Sequence, residues 1–176
     1  AMKELGSQFV LGRTMKEATW RAKKLTAQGY THSYDMLGEA ARTAEDADRY
    51  FESYSAAIVD LIPHCNNDDI RNNPGISVKL SALHPRYEWS QRERVLTELV
   101  PKVLALALQA KAANMGFNID AEEADRLDIS LDVIAAVLAA PELSGWHGFG
   151  VVVQAFSKRA PWVLDWLYEL ARSLDR

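Results

Sequence analysis

"GISVKLSALHPRYE", Gly75 to Glu88, decides how the rest of the chain is read. Ile76, Val78 and Leu80 suit a strand packed in a sheet, because β-branched and aliphatic side chains fit a pleated, half-buried surface. Lys79 stands among them, and an ammonium is costly to bury unless it is paired. A short polar turn with His84, Pro85 and Arg86 follows. The stretch predicts a strand over 76–80 that delivers a charge to its C-terminal end.

Upstream, Thr14 caps a predicted helix that runs to about Gln28, where Gly29 stops it. Its apolar stripe is Met15, Ala18, Ala22 and Leu25. "HSYDMLGEAA" follows and reads as a strand ending near Leu37. Thr43 and Asp46 open a second helix with Ala47, Tyr50, Phe51, Tyr54, Ala57, Ile58 and Leu61 spaced three and four apart. "PHCNNDDIRNNPG" is a loop, full of breakers.

Downstream, helix is predicted from about Ser90 to Ala113, with Val95, Leu99, Val103 and Leu106 inward. Pro101 lies inside it and predicts a kink or a split. "GFNID" is a strand, Gly116 to Asp120, followed by helix from about Ala124 to Ala139. "GFGVVVQA" is a strand apolar on both faces, which predicts cover on both faces. The last helix starts near Pro161 and carries Trp162 and Trp166, read as core. Strands separated by helices imply parallel pairing through right-handed crossovers, an α/β fold of four strand–helix units preceded by a helix.

Composition sets bounds on function. The chain has 176 residues, 48% of them apolar, enough for one domain with a sizeable core. The net charge of −4 is mild and the basic residues are dispersed, so nucleic-acid binding has little support. Cys65 is the single cysteine, which excludes an intrachain disulfide and fits a reducing compartment. No apolar run is long enough to span a bilayer and the start shows no signal-peptide pattern, so the protein reads as cytoplasmic. The histidines have no ligand spacing, and no metal site is expected. No dinucleotide fingerprint, P-loop or nucleophile elbow occurs.

In parallel α/β folds, sites gather at the C-terminal ends of strands. Those ends carry Asp35 and Glu39, then Lys79, Ser81 and His84, then Asn118 and Asp120, then Gln154, Lys158 and Arg159. Four consecutive strands thus bring polar groups to one rim. Structural readings stand beside this one. Asp120 with Glu123 resembles a capping box. Lys79 serves equally as an ion-pair strut for Asp120, Gln154 as a partner for backbone groups, Glu39 as a solvated loop charge and His84 as a turn residue.

"SYDMLGEAA", "GISVKLSALHPRYE", "NIDAEEADRL" and "VVVQAFSKRAPWVLDWL" together resemble the proline dehydrogenase domain of bifunctional proline utilization A flavoenzymes. The resemblance implies a distorted (β/α)8 barrel that holds FAD and oxidises L-proline to Δ1-pyrroline-5-carboxylate by hydride transfer to flavin N5. It implies a membrane quinone as electron acceptor, a peripheral position at the inner face of the membrane, and a second domain that carries the product on to glutamate. Residue by residue, Lys79 looks like the lysine that approaches the substrate carboxylate. Asp120 looks like the acid that orders that lysine, and Gln154 like the glutamine that hydrogen-bonds the flavin ring. Glu39 looks like the glutamate that pairs with a substrate-binding arginine and gates the pocket. Phe156 stands where the family usually has tyrosine.

Measured against that family, residues 1–176 are expected to form the N-terminal half of the barrel, a partial TIM-like barrel. The remainder, with most flavin contacts and the paired arginines, lies outside this chain, which alone is expected to be inactive and not to retain FAD. Two rival readings remain open on sequence: a Schiff-base lyase or aldolase with Lys79 as nucleophile, and a non-catalytic barrel fragment.

Overall fold

The computed structural model describes residues 10–175. Four strands alternate with helices: α1 (Met15–Thr26), β1 (Ser33–Asp35), α2 (Ala44–Leu61), β2 (Gly75–Val78), α3 (Arg92–Ala112), β3 (Gly116–Ile119), α4 (Leu127–Leu138), β4 (Phe149–Val151) and α5 (Ala160–Ser173). The sheet order is β1-β2-β3-β4, and every pairing is parallel. Sequence order equals spatial order, as in one arc of a (β/α)8 barrel.

The local signals act as expected at the helix starts. The Thr14 hydroxyl accepts from the Glu17 amide at 3.2 Å. Thr43 and Asp46 form a reciprocal capping box on α2, which satisfies two of the amide donors that a helix start leaves without partners. Gly29 follows α1 at φ +91°, a left-handed conformation that glycine adopts without a Cβ clash.

Alternation along the strands separates two environments. Ile76, Val78, Phe117 and Ile119 are fully buried against the helices. They join one core with Ile58 and Leu61 of α2, Val95, Leu99, Val103 and Leu106 of α3, and Ile129, Val133 and Val137 of α4. Ser33, Ser77 and Asn118 point to the opposite face, where the Ser33 and Ser77 hydroxyls lie 2.9 Å apart and the Asn118 amide donates to Ser33 at 3.1 Å. Gly150 is opposite Asn118 in register. A Cβ there would overlap the Asn118 carboxamide where it now lies, so glycine leaves the room that this side chain occupies in the polar lining. One face is therefore apolar and covered by helices, and the other is a hydrogen-bonded lining.

Several expectations need correction. β2 ends at Val78, and Lys79 is the extended residue before a 3₁₀ turn, Leu80–Ala82. The lysine is thus the first residue beyond the strand, where the chain leaves the sheet. α3 runs unbroken through Pro101, which sits at an exposed position. β4 is only half-covered, and Val152 just beyond it is 42% exposed. Trp162 is 74% exposed and is not core, and Trp166 is half-buried. Leu25 is likewise exposed. On α5 only Ala160 and Val163 are buried, because among the described residues nothing packs on its far side.

Candidate active site at the strand ends

Lys79 is the centre of the rim. Its ammonium lies 2.7 Å from each carboxylate oxygen of Asp35 and 2.9 Å from Asp120 Oδ2. The lysine side chain is 14% exposed, whereas Asp120 is 26% and Asp35 48% exposed. Each member leaves the end of a different strand: Asp35 ends β1, Lys79 follows β2 and Asp120 follows β3. The parallel ladder brings them level, since the Asp120 amide still donates to Val78 O at 2.9 Å. The Lys79 amide is anchored separately, donating to the Tyr54 hydroxyl at 3.1 Å.

Burial alone would depress the Lys79 ammonium. The hydrogen bonds it donates to Asp35 and Asp120, with the charges of those carboxylates, outweigh burial, and the net shift is upward. Lys79 is therefore firmly cationic. A Schiff-base nucleophile needs a depressed pKa and a free amine, so this environment is the wrong one for an aldolase lysine. Burial pushes the Tyr54 phenol up to about 12, leaving it a neutral hydrogen-bonding post.

Asp120 is not a capping residue. Its Oδ1 accepts from the adjacent Ala121 amide at 3.0 Å, and the short turn at Ala124–Arg126 has no side-chain cap. Glu122, two residues on, is half-buried, and desolvation raises its pKa against the pull of hydrogen bonds from Ser81. The Ser81 hydroxyl donates to Glu122 Oε2, and the Ser81 amide donates to Oε1 at 3.1 Å. Gln154 joins the same corner, its amide donating to Glu122 O at 3.2 Å. Asp120, Glu122, Gln154 and Tyr87 all line one pocket between the ends of β3 and β4 and the helices α4 and α5.

Glu39 lies apart from this cluster. It is exposed in the β1–α2 loop and makes no ion pair among the described residues. His84 is buried and structural: its Nδ1 accepts from the Arg86 amide at 3.1 Å and its Nε2 meets Glu98 at 3.1 Å. Arg86 and Glu88 are surface charges 3.9 Å apart. Among the described residues no cluster of three or more His, Cys, Asp or Glu could hold a metal ion.

The structure thus brings Lys79 and Asp120 into contact, sets Gln154 with Asp120 on the wall of one pocket, and leaves Glu39 outside that lining. Asp35 and Glu122 are the residues the sequence reading undervalued. Asp35 stood among the polar groups of a strand expected to end near Leu37, and the strand ends at Asp35 itself. Glu122 lies inside the acidic run of "DAEEAD", which resembles a solvated surface.

A parallel α/β segment with a lysine–carboxylate cluster at its strand ends is the class of site that the geometry defines. The sequence profile of the proline dehydrogenase family matches residues 18–176, and the chain belongs to that family. It is 52% identical over 171 residues to the bifunctional protein PutA of Escherichia coli strain K12, covering 97% of this chain and 13% of that protein. With PutA of Rhizobium meliloti it shares 51% identity over 176 residues, all of this chain and 14% of the relative. Among solved structures, proline utilization A of Bradyrhizobium japonicum superposes with a TM-score of 0.83 at 53% identity, over 94% of this chain and 17% of that one. PutA of Bdellovibrio bacteriovorus, inactivated by N-propargylglycine, superposes at 0.85 over 94% of this chain and 18% of that one; at 21% identity it speaks for the fold alone. The chain spans a small part of the length of each relative.

Proposed function

We propose that this chain is the N-terminal half of a proline dehydrogenase barrel that, completed by the rest of a longer polypeptide, oxidises L-proline to Δ1-pyrroline-5-carboxylate with FAD. The observation that carries the reading is Lys79, held cationic between Asp35 and Asp120 at the strand ends of a chain whose family profile is proline dehydrogenase.

Lys79 receives the substrate carboxylate. Its three donors are occupied by Asp35 and Asp120, so the incoming carboxylate takes the place of one carboxylate oxygen. Asp35 is the more exposed partner and the one that gives way. Asp120 remains behind the ammonium and fixes its direction. Charge neutrality also needs cations from elsewhere, since one ammonium faces two carboxylates. The paired arginines that the family resemblance places in the rest of the barrel supply them, and Glu39 is positioned to pair with one of them.

The residues around β4 suit a flavin. Gln154 spends one amide hydrogen on Glu122 O, leaving its second hydrogen and its carbonyl for a polar ring edge. Val152 and Phe156 beside it are 42% and 86% exposed and offer an apolar surface for a planar ring. FAD, when bound, supplies the two-electron acceptor for hydride from the ring carbon next to nitrogen. The protein's part is orientation and electrostatics. A membrane quinone is the proposed onward acceptor, reached by peripheral association of a cytoplasmic protein with the inner face of the membrane. Among the described residues no helix is long and apolar enough to cross one.

The test is substrate-dependent reduction. The full-length holoprotein, mixed anaerobically with L-proline, should lose its visible flavin absorbance. A colourless holoprotein, or a flavin that stays oxidised, refutes the reading.

A further inference from the structure

The loop that presents Glu39 is held by side chains to which none of the roles above has been given. Gly38 and Ala40 flank Glu39 with φ of +128° and +53°. The first lies where a Cβ would overlap the Tyr50 ring, and the second is a left-handed conformation that L side chains disfavour. Such a conformation persists only where its surroundings over-determine it.

Those surroundings are specific. The Ala40 amide donates to Ser81 Oγ at 3.0 Å, and the Ala41 amide donates to Ser81 O at 2.9 Å. Ser81 is itself 1% exposed. Its hydroxyl and its amide both donate to the Glu122 carboxylate. On the far side of the loop, Asp46 Oδ2 accepts from the Arg42 and Thr43 amides at 3.2 Å each. A continuous hydrogen-bonded path therefore runs from the end of β3, through the end of β2, to the loop after β1. Glu39 is exposed within this loop, and the buried Ala41 follows it two residues on. The hydroxyl at position 81 both accepts from the loop and donates to Glu122. Each oxygen of residue 122 takes one Ser81 donor, and an amide side chain would set its own NH2 donor against one of them.

We propose that Ser81 and Glu122 are positioning residues for substrate capture: they fix the strained Gly38–Ala41 loop so that Glu39 stands at the edge of the proline site. The inference rests on the reading of Glu39 as the partner of a substrate-binding arginine.

The experiment uses the full-length holoenzyme with Ser81→Ala, Glu122→Gln, Glu39→Ala and the Ser81→Ala/Glu39→Ala double variant. Backbone amide hydrogen exchange, thermal melting and steady-state kinetics with L-proline are measured on each. Ser81→Ala should speed exchange at Ala40 and Ala41 by about tenfold or more while the β2 and β3 amides stay protected. KM should rise about threefold to tenfold with kcat within about twofold, the pattern of lost substrate binding. Glu122→Gln should show the same signs more weakly, and it decides the matter if Ser81→Ala does not fold. The double variant should be no worse than the more impaired single variant, because residues acting through one element are not additive.

Unchanged exchange and KM in both Ser81→Ala and Glu122→Gln overturn the proposal. So do independent, multiplying effects of Ser81→Ala and Glu39→Ala, or protection lost evenly across the core. A wild-type holoenzyme that does not oxidise proline would sink the underlying function instead, and the exchange result would then decide the positioning claim by itself.

Discussion

Replacing Lys79 with methionine keeps the length and apolar stem of the side chain and deletes the charge. Two effects follow. The substrate carboxylate loses a charge-assisted hydrogen bond of about 1.5–3 kcal/mol. Asp35 and Asp120, now bridged by nothing, also face each other and the incoming anion. Both lie within hydrogen-bonding distance of the lost nitrogen, so an inhibitor carboxylate that docks there sits about 6 Å from each, and two unit charges at that separation repel by about 3 kcal/mol at an effective dielectric of about 20. Asp35 is 48% exposed, so screening leaves well under half of that repulsion. The expected loss is therefore about 2–4 kcal/mol, between about thirtyfold and several hundredfold in affinity. Calorimetric titration of the full-length holoenzyme with a carboxylate inhibitor that resembles proline reads it directly, and the flavin spectrum confirms that the cofactor is retained. Wild-type affinity in the Lys79→Met protein would show that the lysine is only a strut between two acids, and the reasoning would fail.

Other consequences are smaller or act on the fold. Asp120→Ala leaves Lys79 paired with Asp35 at 2.7 Å, so inhibitor affinity should fall by about tenfold or less; a loss larger than that of Lys79→Met would contradict the assigned order. Phe117→Ala empties the centre of the covered face and should cost about 3–5 kcal/mol in chemical denaturation; a cost under about 1 kcal/mol would mean that the sheet is not packed as described. His84 is buried and desolvation depresses its pKa below the ordinary 6.5, against the pull of Glu98. Below that value the unfolded chain binds the proton more readily than the folded one, so stability present at higher pH is lost as pH falls through the window. Melting curves of His84→Gln against pH should be flatter there than wild type, and parallel curves would refute the assignment.

Much of the architecture was legible because it depends on local rules. The three-and-four spacing of Tyr54, Ile58 and Leu61, and the caps at Thr14 and Thr43, place helices without reference to any partner. The parallel order followed from alternation of strand and helix. Errors arose where burial depends on distant chain. Trp162 is apolar yet exposed, because no rule of composition says which helix face finds a neighbour. "GFGVVVQA" looked covered on both faces, but Gly150 and Val152 line the open side of the sheet. Lys79 and Asp120 were legible as charges at strand ends. The part played by Asp35 was not, since it needs the register that sets β1 beside β2. Glu122 was hidden for a different reason: "AEEAD" carries no periodic signal that tells a half-buried acid from its solvated neighbours.

The central claim is that this rim of strand ends, completed by the rest of the barrel, binds proline beside a flavin. Anaerobic stopped-flow mixing of the full-length holoenzyme with L-proline tests it most directly. The account predicts that the visible flavin band bleaches at a rate that saturates with proline, and that Lys79→Met shifts the half-saturating concentration upward by at least about tenfold. A flavin that is not reduced by proline, or a half-saturating concentration that Lys79→Met leaves unchanged, would contradict it.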